Sequence, residues 1–438
     1  MAIVGASDRP GSQGGRVVGY LRRFGYAGRI LPVHPTARTV RGLPAYPTVS
    51  AAGGPVDLAL LLAPAASCQA ALDDCAEAGT RAVVVGAAGF SDVPGGAKLQ
   101  ARLLRRARDA GIRLLGPNCI GAANFRSGLV ASFSPLFDAY DSLRPGGLAI
   151  VSHSGGLGYG LASLAVERGL RPGWVVNTGN EADVGAGEVM CALAEEPDCD
   201  GVIAYLESDL SPRWLRRLRE SGKPVAALRA GFSKAGRGLT VTAAAATTSG
   251  SGLSPAPDVE ELLDLAASFS APPPSGDVVV VTTSGGAGVL AADAIERAGL
   301  KPASLSADTN TRLRELLPPH ASIGNPLDVT ASVISDPSLL TRALSAVVRD
   351  PGCGGVVVCL CVLGGEAADT VCDSLIEASR LGKPILVSRT GADALAPDFR
   401  PRLAEAGIGV YATPARAVAA LAESVRPESS TRSSQWTR

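Results

Sequence analysis

Short runs of aliphatic and β-branched residues alternate with longer amphipathic stretches along almost the whole chain, the rhythm of βαβ units in a parallel sheet. In the first third the runs are Ala2–Val4, Arg29–Val33, Val56–Leu62, Arg81–Val85 and Gly111–Leu115. Helical periodicity lies between most of them, over Gly15–Phe24 and Gly95–Ala110 for example. The runs are continuously apolar rather than alternating, so the strands are expected to be covered on both faces. Residues 1–140 therefore read as a Rossmann-type α/β domain.

The rest of the chain repeats itself. Ala149-Ile150-Val151-Ser152-His153-Ser154-Gly155-Gly156 has a counterpart in Val280-Val281-Thr282-Thr283-Ser284-Gly285-Gly286. Gly179-Asn180 followed by Asp183-Val184 returns as Gly324-Asn325 followed by Asp328-Val329. Pro197–Val202 returns as Pro351–Val356, and Gly222-Lys223-Pro224 as Gly382-Lys383-Pro384. Matches kept in one order predict two copies of a small flavodoxin-like parallel α/β domain, at 145–270 and 277–425. The stretch 270–276 contains three consecutive prolines and reads as a stiff linker. Residues 426–438 are Ser-rich without periodicity and are expected to form a flexible tail.

Charge and composition narrow the function. The 41 basic and 41 acidic residues cancel, so no basic field exists for phosphate-backbone binding, and nucleic acid is not an expected partner. Apolar runs such as Val356–Leu363 fall far short of the ~20 residues that span a bilayer, so no membrane partner is expected. The first strand starts at Ala2, without the basic start and longer apolar stretch of a signal peptide, and the expected location is cytoplasmic. Nine Cys and three His are scattered with no Cys-x-x-Cys pair. No metal site is expected, and the thiols read as reduced, small core residues.

The first strand runs into Gly5-Ala6-Ser7-Asp8-Arg9-Pro10-Gly11-Ser12-Gln13-Gly14-Gly15 and then a helix. Glycines let backbone approach a phosphate, and a helix N-terminus offers free N–H groups and partial positive charge. Strand two ends in Leu31-Pro32-Val33-His34-Pro35, with no carboxylate to hold a ribose diol. The nearby cations Arg38 and Arg41 suit an extra phosphate, which favours NADP or coenzyme A.

Four segments in order narrow this further: Gly11-Ser12-Gln13-Gly14, Gly116-Pro117-Asn118-Cys119-Ile120-Gly121, Val151-Ser152-His153-Ser154-Gly155 and Gly324-Asn325-Pro326-Leu327-Asp328. Together they resemble the NDP-forming acyl-CoA synthetases, the superfamily of succinyl-CoA synthetase alpha subunits, and the three-domain order is similar to the alpha part of ADP-forming acetyl-CoA synthetase. The resemblance implies coenzyme A or acyl-CoA as cofactor. It implies Gly11, Ser12, Gln13 and Gly14 around the phosphates, Arg38 as a cation beside them, and Gly86–Phe90, with Gly89, along the pantetheine. Pro117, Asn118 and Cys119 would shape the thiol end. It also implies a homo-oligomer, a dimer, and an ATP-grasp beta subunit as a possible partner.

The chain departs from that family where phosphorus is carried. The family's phosphohistidine follows a lead-in matched by Arg229-Ala230-Gly231, but ungapped counting puts Ala243 at its position, and no His occurs between His153 and His320. The Glu that steadies the phosphohistidine is replaced by Cys191 on the same counting, with Glu188 one helical turn away. The loop after Ala243 is also shorter than the family's, and residues 277–425 leave no room for an ATP-grasp domain. ATP or ADP is therefore a doubtful ligand.

The remaining polar candidates are His153, as a general acid or base, Cys191, as a thioester-forming thiol, and Ser154-Gly155-Gly156, as an anion-binding helix end. His34 would border the adenine, and His320 falls in a solvent-side loop. The sequence thus predicts a CoA-dependent enzyme, ligase-like or an acyltransferase, acting on an acyl group from a CoA thioester without a phosphohistidine step. Two alternatives stand beside it: a non-catalytic acyl-CoA-binding partner or regulator, and an NDP-forming acyl-CoA synthetase alpha subunit that needs a separate ATP-grasp beta subunit.

Overall fold

The computed structural model describes residues 1–231 and 253–425. They form two compact units, Met1–Val166 with Arg171–Pro257, and Glu167–Leu170 with the described residues from Asp258 on. The expected tail 426–438 and the Ala243 segment lie outside the described residues.

The first unit begins with β1 (Ala2–Val4) and β2 (Leu31–Val33), followed by a short hairpin of β3 (Thr39–Val40) and β4 (Leu43–Pro44). Then come β5 (Leu58–Leu61), β6 (Ala82–Val85) and β7 (Arg113–Leu115). The five strands expected from the apolar runs pair in parallel, in the order β2-β1-β5-β6-β7. Helices Gln13–Arg23, Cys68–Glu77 and Ala97–Asp109 make the crossovers. Ala59, Leu60 and Leu61 are fully buried, which continuous apolar runs require.

The second sheet of this unit contains β8 (Gly121–Asn124), β9 (Leu129–Ser132), β10 (Leu148–Ser152), β11 (Pro172–Asn177), β12 (Gly201–Leu206), β13 (Val225–Arg229) and β14 (Ser254–Ala256), in the order β14-β13-β12-β10-β11-β8-β9. Here the structure differs from the expectation of a first domain running to 140. The hairpin β8–β9 leaves the first sheet and pairs antiparallel with β11, Val175 opposite Ala123. The physical reason is the edge of β11: an apolar strand left unpaired is an exposed row of N–H and C=O groups, and the hairpin covers it.

The second unit carries β15 (Val278–Thr282), β16 (Leu327–Asp328), β17 (Gly355–Cys361), β18 (Ile385–Thr390) and β19 (Val410–Tyr411). Their order, β16-β15-β17-β18-β19, reproduces β11-β10-β12-β13-β14 strand for strand. Both are flavodoxin-like, with the chain reversing direction across the sheet beside the first strand of each copy. Among the described residues no helix is long and apolar enough to cross a membrane.

Candidate functional site

The first sheet ends at the glycine-rich turn. Ser12 caps helix Gln13–Arg23, its Oγ accepting the Gly15 N–H at 3.2 Å. A Cβ on Gly14 would stand 2.6 Å from Gly5 O and from the Ala6 Cα, so glycine is what lets the helix start against the strand end. Gly11 and Gln13 are exposed at this mouth. Arg38 is exposed beyond β2, whereas Arg41 faces Asp8, which accepts its backbone N–H at 2.8 Å. His34 does local work: Nδ1 accepts N–H groups of Thr36 and Ala37 at 3.2 and 2.9 Å, closing the turn after β2.

The loops after β6, β7, β10 and β11 meet at the C-terminal edges of the two sheets. In the loop after β6, Asp92 accepts the N–H groups of Gly89 and Phe90, at 2.8 and 2.9 Å. Asp92 also accepts the Asn180 side-chain amide at 3.0 Å. Burial pushes the Asp92 carboxyl up, but these donors outweigh it and hold it below its ordinary value. Asn180 further bonds Gln100 and Asn118, and its N–H donates to Pro117 O at 2.9 Å. Gly179 is a second required glycine: its φ is +58°, and a Cβ there would lie 2.3 Å from Pro117 O. The expected thiol-end residues Pro117, Asn118 and Cys119 are thus stitched to the Gly179-Asn180 turn.

Cys119 is buried; its Sγ donates to Asn177 O at 2.8 Å, and burial pushes the thiol up to about 12. It is a buried, protonated thiol and not a nucleophile. Asn177 completes the junction, accepting Ile120 N–H at 2.7 Å and donating to the carbonyls of Ser152 and His153.

His153 follows β10, between the ends of β11 and β12. Nδ1 accepts the Glu207 backbone N–H at 3.0 Å, which leaves Nε2 as the ring nitrogen that carries a proton. Nε2 is 3.1 Å from Glu181 Oε1, within ion-pair reach but not aligned as a directed hydrogen bond. The His153 side chain is 1% exposed. Glu181 holds φ at +53°, uncommon for a residue with a Cβ. Its Oε1 accepts the Ala186 N–H at 2.5 Å, at the start of helix Ala186–Ala194, and Thr178 adds a side-chain hydrogen bond. Burial raises the Glu181 carboxyl, and the adjacent His153 imidazole with the Ala186 and Thr178 hydrogen bonds brings it below the ordinary range. Beside the pair, Ser154 Oγ accepts the Leu157 N–H at 3.3 Å, and helix Gly155–Glu167 begins with its first-turn N–H groups at Gly155 and Gly156.

Two expected residues stand elsewhere. Cys191 is 1% exposed in the apolar layer with Met190, Ala194 and Leu218, its Sγ turned to Trp214 O, and burial raises its thiol. It is a core residue and not an accessible thioester nucleophile. Glu188 spends both carboxylate oxygens on Arg113, at 2.9 and 3.0 Å, and Arg113 also binds Asp183. Helical spacing placed Glu188 and Cys191 near one another, but could not say which neighbours each faced. His320 is exposed, and Ser284 opens helix Gly285–Ala298 in the second unit. Sequence reasoning missed Asp92, Gln100, Asn177, Asn180 and Glu181; the last two lie next to the Gly179 turn it had singled out. All nine cysteines are free, and among the described residues no group of three metal-ligating side chains occurs.

The fold and site define a CoA-binding Rossmann domain joined to flavodoxin-like domains. Family models agree: a CoA binding domain matches residues 1–124, a succinyl-CoA ligase like flavodoxin domain 145–269, and a ligase-CoA domain 278–426. The chain belongs to the NDP-forming acyl-CoA synthetase superfamily and forms its alpha-subunit-like module. It is 30% identical over 412 residues to the alpha subunit of acetate–CoA ligase [ADP-forming] II of Pyrococcus furiosus, covering 88% of this chain and 87% of that one. It is also 30% identical to acetate–CoA ligase [ADP-forming] I of Archaeoglobus fulgidus, of which it spans only 52%. Among solved structures, the dinucleotide forming acetyl-coenzyme A synthetase 1 of Ca. Korarchaeum cryptofilum, in complex with phosphate and ADP, superposes with a TM-score of 0.85 at 27% identity, covering 97% of this chain and 94% of that chain.

Proposed function

We propose that this chain is the coenzyme A-handling alpha component of an ADP-forming acyl-CoA ligase, working with a separate ATP-grasp chain. The observation that carries this reading is the Gly14 approach to Gly5 and Ala6 at the N-terminus of helix Gln13–Arg23, within the stretch matched by the CoA binding domain. Coenzyme A phosphates would lie at that helix end, with Gln13 and Arg38 at its mouth and the chain's thiol end near Pro117, Asn118 and Cys119. ATP and ADP, doubtful from sequence alone, enter the reading because the Korarchaeum relative is described in complex with ADP and phosphate. The nucleotide step belongs in this reading to the partner, as the name "subunit alpha" of the Pyrococcus relative suggests.

A second reading is favoured by one feature of the chain: no histidine lies between His153 and His320. In that version the acyl group moves to or from coenzyme A without a phosphohistidine, and the chain is an acyltransferase-like member of the superfamily.

Calorimetry with coenzyme A and acetyl-CoA tests what both readings share, and absence of binding at millimolar concentration sinks both. Reconstitution with an ATP-grasp chain, ATP, coenzyme A and short carboxylic acids separates them. ADP release dependent on both chains supports the ligase, and acyl exchange by this chain alone supports the transferase. Light scattering of the chain alone tests the expected dimer.

A further inference from the structure

The second unit is acidic: from Asp258 to Val425 the chain holds 20 acidic and 12 basic residues. Several of its arginines are spent on those acids. Arg389 and Arg400 share Asp393, Arg402 bridges Asp369 and Asp373, and Arg416 holds Glu260 and Asp264.

Three other arginines converge on one place. Helix Ser338–Arg349 packs against helix Ala307–Leu316 and against helix Gly365–Ser379, and residues of all three line a groove of about 370 Å³. Arg312, Arg342 and Arg349 line it, and Glu377 is its one carboxylate. Among the described residues no acceptor takes the Arg312 guanidinium. Arg342 reaches Asp336 only at 3.4 Å, and Arg349 donates Nε to Ser345 Oγ at the same distance. That contact leaves the Ser345 O–H, also on the groove, to donate elsewhere. The rest of the lining is apolar, with Leu316, Ala346 and a half-exposed Leu381.

This lining defines a ligand. The planar fork of an arginine grips carboxylates and phosphates through paired N–H groups. Three guanidinium charges against Glu377 leave two positive charges to be answered. Arg342 and Arg349 stand two turns apart on one helix, about 10 Å along its axis. They therefore suit an acid group at each end of an elongated molecule, with a carbon chain on the leucines between. A dicarboxylate brings two negative charges and matches, whereas a bisphosphate brings about three to four at pH 7 and overshoots. The volume is that of a small-molecule site.

We propose that the groove over helix Ser338–Arg349 binds a short linear dicarboxylate. Arg312, Arg342 and Arg349 hold its two acid groups, and Leu316, Ala346 and Leu381 lie along its carbon chain. The site belongs to the second unit alone and uses neither the coenzyme A turn nor His153, so it stands apart from the function proposed above.

The test is calorimetry on the full chain at fixed ionic strength, with coenzyme A present to occupy the Gly11–Gly14 turn. The probes are adipate, hexanoate as a single-charge molecule of the same length, and fructose 1,6-bisphosphate as the phosphate arm. Adipate should bind at least about tenfold more tightly than either of the others. Arg312→Ala and Arg349→Ala should each weaken adipate at least about fivefold, and Glu377→Gln should tighten it about twofold or more. All three side chains are exposed, and circular dichroism checks that each variant keeps its fold. No adipate binding at about 10 mM overturns the proposal. Equal binding of hexanoate or tighter binding of the bisphosphate overturns the dicarboxylate assignment. Adipate affinity unchanged in folded arginine variants shows that it binds elsewhere and overturns the site.

Discussion

Glu181 Oε1 lies 3.1 Å from Nε2 of His153, although 28 positions separate the two residues in the chain. They meet because β10 and β11 are parallel neighbours in register, Ser152 opposite Asn177, so the loops leaving the two strands emerge side by side. Glu207 reaches the other ring nitrogen because β12 flanks β10 on the opposite side.

Replacing His153 with Ala strands the Glu207 N–H without its acceptor and removes the imidazole packed beside the Glu181 carboxylate. The expected loss is about 1–3 kcal/mol of unfolding free energy. Urea titration measures it, with coenzyme A affinity unchanged as the sign that the first sheet is intact.

Acid should weaken the first unit through its paired carboxyls. Asp92, Asp183 and Glu181 each resist the upward push of burial and sit below their ordinary values. A carboxyl lower in the folded than in the unfolded chain contributes its stability fully above the unfolded value, about 4, and loses it as pH falls through the folded value. The carboxyl contribution should therefore be lost as pH falls below about 4, lowering the urea midpoint, and Glu181→Gln should flatten that fall.

Cys191 should prove inert. Iodoacetamide should spare it in the native chain and label it only on unfolding, and acyl-CoA should leave no adduct on its peptide by mass spectrometry. Cys191→Ala should cost about 1–2 kcal/mol, the loss of a small buried group.

Gly14→Ala should cost about 1–3 kcal/mol, because the added methyl meets Gly5 and Ala6 backbone that has little freedom to move. Coenzyme A affinity should fall with it, since the helix end moves away from the strand.

Arg113 and Glu188 should matter little singly. Their side chains are 53% and 34% exposed, so Glu188→Gln should cost less than about 1 kcal/mol. Arg113→Ala should cost more, because Asp183 loses its partner as well.

The strands of the first sheet were legible because strands covered on both faces need unbroken apolar runs, as in Ala82–Val85. The duplication was legible because repeated segments in one order produced sheets of one order. The β8–β9 hairpin was not, since nothing local to 121–132 says which sheet it joins. Cys191 was misjudged for a related reason: counting along a helix locates a residue but not the layer it packs into.

The amino-acid pattern by itself therefore determined three α/β blocks, a glycine-rich helix start suited to phosphates, and a family resemblance, all of which depend on neighbours in the chain. The tertiary structure decided the rest: the placement of His153 between the Glu207 N–H and the Glu181 carboxylate, and the Asp92–Asn180–Asn118 junction. Those contacts join loops from different strands, so they follow from strand order and register, which no local periodicity encodes.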